Sequence, residues 1–67
     1  MPGTYRKIEI VGTSPASYAE ATKAGISEAS KTIENMSWFE VIDQRGVIKD
    51  GNVAEFQVVL RIGARID

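Results

Sequence analysis

The stretch VIKDGNVAE, Val47 to Glu55, decides how this chain folds. Asp50-Gly51 sits between two runs rich in branched and aromatic residues, WFEVIDQRGVIK (38–49) and NVAEFQVVLRIGARI (52–66). An Asp-Gly pair flanked by such runs is the strongest short-range signal for a hairpin, because both residues accept the positive φ that a type I′ turn demands. With Asp50 and Gly51 as the central turn residues, Lys49 lies opposite Asn52 and every other pair follows by counting back along both strands. That register sets Glu40 against Arg61, Phe39 against Ile62 and Val41 against Leu60. None of these pairs was used to choose the turn, yet each is chemically sensible across a ladder.

Working outward, YRKIEIV (5–11) alternates as a strand, with Ile8 and Ile10 on one side and Tyr5, Lys7 and Glu9 on the other. Gly12-Thr13 then turns the chain. Ser14 reads as a helix cap and Pro15 as the first helical residue, since a hydroxyl satisfies free N–H groups and proline needs no partner there. From Pro15 to about Asn35, Tyr18, Thr22, Ile26, Ala29, Ile33 and Met36 recur at helical spacing and form one apolar stripe. Glu20 with Lys23, Glu28 with Lys31, and Lys31 with Glu34 form i,i+3 pairs on its solvated side. Gly25 costs about 1 kcal/mol of helix propensity relative to alanine, which close helix packing would offset. The expected fold is α+β: a β-α-β-β chain, residues 1–67 forming a single domain, with a three-stranded antiparallel sheet wrapped on one helix.

At 67 residues with 43% hydrophobic and 25% charged side chains, the chain has the composition of a folded soluble domain. One core of this size typically supplies no more than roughly 3 to 5 kcal/mol, so small domains add a metal, disulfides or self-association. Cysteine and histidine are both absent, which removes disulfides and the usual metal ligands and leaves a homo-oligomer as the expectation. A net charge of −1 without a basic block argues against a nucleic-acid partner. No apolar run is long enough for a membrane span, and Met1-Pro2-Gly3-Thr4 leads into the first strand without a signal-peptide pattern, so the expected compartment is the cytoplasm.

The hairpin register assigns side chains to faces. Phe39, Val41, Phe56, Val58, Leu60 and Ile62 form the apolar face for the helix to cover. Trp38, Glu40, Ile42, Gln44, Gln57, Val59, Arg61, Gly63 and Arg65 lie on the other face, with Trp38 beside Gly63 and Gln44 beside Gln57. An indole next to a residue without a side chain has open space beside its ring. This face is too apolar to be left in water and too polar for a monomer's core, which fits a seam between subunits. Strict alternation also turns Asp43 and Arg45 toward the helix, a poor place for charge, so a bulge at Gly46 that re-aims Arg45 is expected.

VGTSP leading into the helix, WFEV opening the second strand, Arg45-Gly46 in its middle, Gly51 at the turn, FQV in the third strand, and Gly63 with Arg65 near the end together resemble the dodecin family. The resemblance runs end to end. It implies a hollow homododecamer in which paired flavins stack between tryptophans of symmetry-related subunits, with Trp38 in the stacking position. Gln57 would bond the polar edge of the flavin ring. Arg45 and Arg65 would lie near the ribityl and phosphate end or at adjoining subunit contacts. FMN is the implied cofactor, with riboflavin, FAD and coenzyme A as other ligands the resemblance admits. Ala64 departs from the family, which commonly has an aromatic between the late glycine and arginine.

The residue chemistry suits these roles independently. An indole is a flat stacking surface, an amide offers both donor and acceptor, and a guanidinium holds phosphate with paired N–H groups. The competing reading is a ligand-free interaction module whose open face binds only copies of itself or another protein. Catalysis is the weakest reading, since His and Cys are absent, no carboxylate pair stands out and no dinucleotide motif is present.

Overall fold

The computed structural model describes residues 3–67; Met1 and Pro2, the start of the stretch read as lacking a leader, lie outside it. Strand β1 (Tyr5–Ser14), helix α1 (Tyr18–Ala29), strand β2 (Met36–Lys49) and strand β3 (Asn52–Arg65) follow in the expected β-α-β-β order. The three strands form one antiparallel sheet with β3 in the centre, in the order β1-β3-β2. Asp50 at φ 53° and Gly51 at φ 77° make the turn of positive φ that the Asp-Gly pair predicts. Lys49 faces Asn52, Val41 faces Leu60, Glu40 faces Arg61, Phe39 faces Ile62 and Trp38 faces Gly63, as the counted register requires.

Between those two ends the register slips and then recovers. Shifts at Val47/Ile48 and Val41/Asp43 leave Ala54 and Ile42 without partners, so residues 43–47 pair one position away from strict counting. Arg45 therefore stands opposite Gln57, and Gln44 opposite Val58, which corrects the expected Gln44–Gln57 pair. The expected irregularity exists, but as two compensating bulges flanking Gly46. Directly opposed residues share a face, so Asp43 and Arg45 turn away from the helix while Gln44 takes the helix side. Two charges thus escape the apolar layer.

The first strand also runs further than its pattern predicts. Gly12 and Thr13 pair with Val58 and Gln57, so β1 continues to Ser14. Gly12 is there for close approach: a Cβ would overlap the Ala21 carbonyl oxygen and lie 3.1 Å from the Cα of Gly25. Ser14 Oγ accepts from the Ala16 N–H at the corner, and the helix cap is Ser17, whose Oγ accepts from the Glu20 N–H at 3.0 Å. Pro15 consequently belongs to the corner. At the other end Ser30, Lys31 and Thr32 close a tighter turn onto Ile26, Glu28 and Ala29. The β-branched Thr32 and Ile33 do not prolong the helix, which stops well short of Asn35. Asn35, at φ 59°, redirects the chain into β2.

The buried stripe of α1 is accordingly Ala21, Gly25 and Ala29, flanked by Tyr18 and Ile26, rather than one extending to Ile33 and Met36. Glu20–Lys23 and Glu28–Lys31 close at 3.9 and 2.6 Å, whereas Lys31 and Glu34, both beyond the helix, are not paired with each other. The core is small, with Ala21, Val58 and Leu60 at its centre and Ile10, Tyr18, Ile26 and Phe56 packed around them. Tyr18 meets Phe56 edge to face at 4.9 Å between ring centroids, a favourable aromatic geometry.

Helix α1 packs on β1 and β3. Strand β2 projects past it, leaving Phe39 and Val41 each 49% exposed, so the helix does not cover the whole apolar face as expected. These two side chains border an open groove of about 660 Å³ with Ala19, Thr22, Lys23, Ile26 and Ser27. The chain extends 52 × 20 × 14 Å with a radius of gyration of 13.7 Å. A compact domain of this length would have a radius of about 11 Å. The excess length is the β2–β3 hairpin, whose apolar tip residues Ile48 and Val53 are exposed.

Candidate ligand-binding site

The face of the sheet opposite the helix carries the chemistry. Its central strand presents Gln57, Val59, Arg61, Gly63 and Arg65, flanked by Tyr5, Lys7 and Glu9 from β1 and by Trp38, Glu40, Asp43 and Arg45 from β2. Trp38 lies across Gly63. A Cβ on Gly63 would sit 2.5 Å from Trp38 Cδ2 and closer still to Cε2 and Cζ2. The space beside the indole is therefore filled by the indole itself, which corrects the expectation of an open hollow there. Its outer side is free, with 39% of the residue exposed.

Two neighbours frame the ring. Tyr5 stands 6.0 Å away between centroids at 50°, and Lys7 Nζ lies 5.7 Å from the indole centroid. Both face the same side of β1, and their nearness to Trp38 follows once β1 pairs with β3. Sequence reading missed them because β1 carries no turn signal that pins its register. The next row is ionic: Lys7 Nζ bonds Glu40 Oε1 at 2.8 Å and Arg61 Nε donates to Glu9 Oε1 at 3.0 Å. Glu40 and Arg61 are opposite in register as expected, but each takes its ion pair from β1 instead. All four groups are substantially exposed, so each pair contributes at most about 1 kcal/mol.

The four candidate residues fall into two groups. Arg65 lies near Trp38, opposite Tyr5, and its Nε donates to Asp67 Oδ1 at 3.1 Å. Asp67 also accepts from the Thr4 N–H at 3.0 Å, and that bond, followed by the one from Arg65, holds its carboxyl below the ordinary carboxylate value. Gln57 and Arg45 face each other farther along the strand pair, toward the hairpin turn. Gln57 Nε2 donates to Glu55 Oε1 at 2.9 Å, leaving its carbonyl oxygen for another donor. Arg45 makes no ion pair among the described residues. Gln57 and Gly63 lie six positions apart on β3, a span of about 20 Å at the usual rise per residue. One chain thus does not bring Trp38 and Gln57 together.

Among the described residues, no cluster of three acidic, His or Cys side chains could hold a metal ion, and no helix is long and apolar enough to cross a membrane.

The chain is thus a small β-α-β-β fold with its helix on one side of the sheet and an exposed aromatic plate among charged and amide groups on the other. The dodecin family model matches residues 4–67, and the chain belongs to the dodecin family. It is 42% identical to the dodecin of Thermus thermophilus over 67 residues, covering 100% of this chain and 97% of the relative. The dodecin structure from Streptomyces davaonensis superposes with a TM-score of 0.95 at 45% identity, covering 100% of this chain and 98% of that one. The dodecin structure from Streptomyces coelicolor superposes at 0.93 with 45% identity, covering 97% and 93%.

Proposed function

We propose that this protein, a single domain over residues 1–67, stores or sequesters FMN in the cytoplasm as a homo-oligomer, in dodecin fashion a dodecamer. The observation that carries the reading is the Trp38 indole laid flat on Gly63 with its outer side exposed, on the face that no element of its own chain covers. Such a plate stacks on a planar ring, and stacking of this kind on a nucleic-acid base is worth about 1 to 3 kcal/mol. Gln57 supplies an amide for the mixed donor and acceptor edge of the flavin pyrimidine, and Arg45 and Arg65 supply guanidinium groups for phosphate. Riboflavin and FAD share the ring, and coenzyme A shares the phosphate chemistry.

The separation of about 20 Å between the Trp38 and Gln57 ends supports assembly, because a single flavin ring does not reach from one to the other within one chain. Copies related by a two-fold axis set the Trp38 end of one beside the Gln57 end of the next. Self-association also answers the elongated shape and the half-exposed Phe39 and Val41. The protein is not an enzyme in this reading, since a flavin stacked against an indole and a second flavin leaves no approach for a substrate.

Titration with FMN followed by absorbance and fluorescence tests the proposal. Wild-type protein quenches flavin fluorescence through electron transfer from the indole, and Trp38→Ala abolishes binding; equal affinity in the two proteins refutes the site. The second reading, a ligand-free self-associating module, is favoured by the apolar groove beside Phe39 and Val41. It predicts a full oligomer by native mass measurement with no FMN bound at any concentration.

A further inference from the structure

We infer that Gly63 is a positioning residue for the stacking indole: its missing side chain is the seat that holds the Trp38 ring flat on β3 with one side turned outward. The inference rests on the proposed flavin stacking for its functional consequence, but its structural part stands without a ligand. Glycine in the interior of a strand is unfavourable, because it carries extra backbone entropy in the unfolded chain and adds no packing surface. Such a residue needs a local reason. Gly63 does not have a positive φ, the backbone conformation that would demand glycine. The three atoms nearest to a Cβ built at Gly63 are Cε2, Cζ2 and Cδ2, all belonging to Trp38. The obstacle to a side chain at position 63 is therefore the indole, and the obstacle to a tilted indole is removed by the absence of that side chain.

Tyr5 and Lys7 complete the seat. Tyr5, tilted at 50° and 6.0 Å away, borders the ring, and Lys7 approaches it from the same strand at 5.7 Å. Lys7 and Trp38 both oppose Gly63, one from each flanking strand, so a single row across the sheet builds the site. An alanine at position 63 lifts the ring off the strand or swings it aside. Either movement changes the plane offered to a flavin while leaving Trp38 in the chain.

The test compares wild-type protein with G63A, W38A and the G63A/W38A pair, each as the full chain. Thermal midpoints are measured without FMN at one protein concentration, and FMN affinity and flavin quenching are measured separately. With Trp38 present, G63A lowers the midpoint and weakens FMN binding by about fivefold or more, the scale of a lost stacking contact. In the W38A background the same change has no cost or raises the midpoint, because a strand prefers alanine to glycine when nothing occupies the space. If G63A fails to fold, a folded G63A/W38A protein still supports the seat, and failure of both proteins overturns it. An equal midpoint loss in the two backgrounds, or FMN binding and quenching by G63A within twofold of wild type, also overturns it. Unchanged FMN binding by W38A defeats the flavin proposal instead, and the ligand-free midpoints then decide the seat by themselves.

Discussion

Replacing Gly12 with alanine is the sharpest test of how the helix is seated. The added Cβ would overlap the Ala21 carbonyl oxygen and approach the Gly25 Cα to 3.1 Å and the Ala21 carbonyl carbon to 3.2 Å. All three atoms are backbone, so no rotamer change relieves the overlap, and α1 must move off β1 by about 1 Å to restore ordinary contact. A gap of 0.5–1 Å forfeits about a quarter to a half of each dispersion contact. The contacts at risk are those of Ala21 with Val58 and Leu60, which form the centre of the core. Overpacking typically costs about 1–3 kcal/mol, and the rigid neighbours place Gly12→Ala near the upper end. An unfolding entropy of about 2.1 cal/mol/K per residue gives roughly 0.14 kcal/mol/K for this chain, so about 3 kcal/mol lowers the thermal midpoint by about 20 °C. Gly25→Ala is the control. Its Cβ meets Gly12 Cα at 3.1 Å and the movable Leu60 Cδ1 at 3.4 Å, and the gain in helix propensity of about 1 kcal/mol offsets part of the crowding. Midpoints are compared at one protein concentration without FMN, since assembly and ligand both shift them. A Gly12→Ala loss below about 5 °C, or a larger loss for Gly25→Ala, refutes this account of the packing.

Leu60→Ala, at a fully buried position, should cost about 2–5 kcal/mol in denaturant unfolding, and a cost below about 1 kcal/mol would show that the core centre lies elsewhere. Arg45→Ala should weaken FMN by about tenfold while leaving riboflavin affinity unchanged, since a charge-assisted bond to phosphate is worth about 1.5–3 kcal/mol; equal losses for both ligands would remove the phosphate role. Asp67 has a depressed carboxyl pKa, so its bonds to Thr4 and Arg65 stabilise the fold above the ordinary value of 3.8 and are lost as pH falls through the lower folded value. Wild-type protein should therefore show a steeper acid-side decline in thermal midpoint than Asp67→Asn, and identical pH profiles would dissolve the clip.

The hairpin was legible in the sequence because its information is local. Asp50-Gly51 specifies the turn through backbone φ, and alternation specifies the faces near it, so the pairs from Trp38–Gly63 to Val41–Leu60 follow by counting. The resemblance in short motifs likewise named the family from residues alone. Counting failed where the middle of β2 slips by one residue, because bulges at Ile42 and Ala54 cancel and leave both ends in register. Only the relief of keeping Asp43 and Arg45 out of the apolar layer hints at them, and that relief does not locate them.

The helix bounds depended on contacts across the chain. Gly12-Thr13 has turn composition, yet it stays in the strand because β3 pairs with it and the helix backbone needs the room above it. The sequence by itself determined the element order, the turn and the face that bears Trp38. Tertiary structure alone decided that the indole fills the space over Gly63, that Lys7 and Tyr5 border it, and that Arg45 stands opposite Gln57. The physical reason is range. Turn and face are set by dihedral preference and a two-residue period, whereas ring placement and the side partners of each charge depend on β1, which meets β3 only after the chain has folded back on itself.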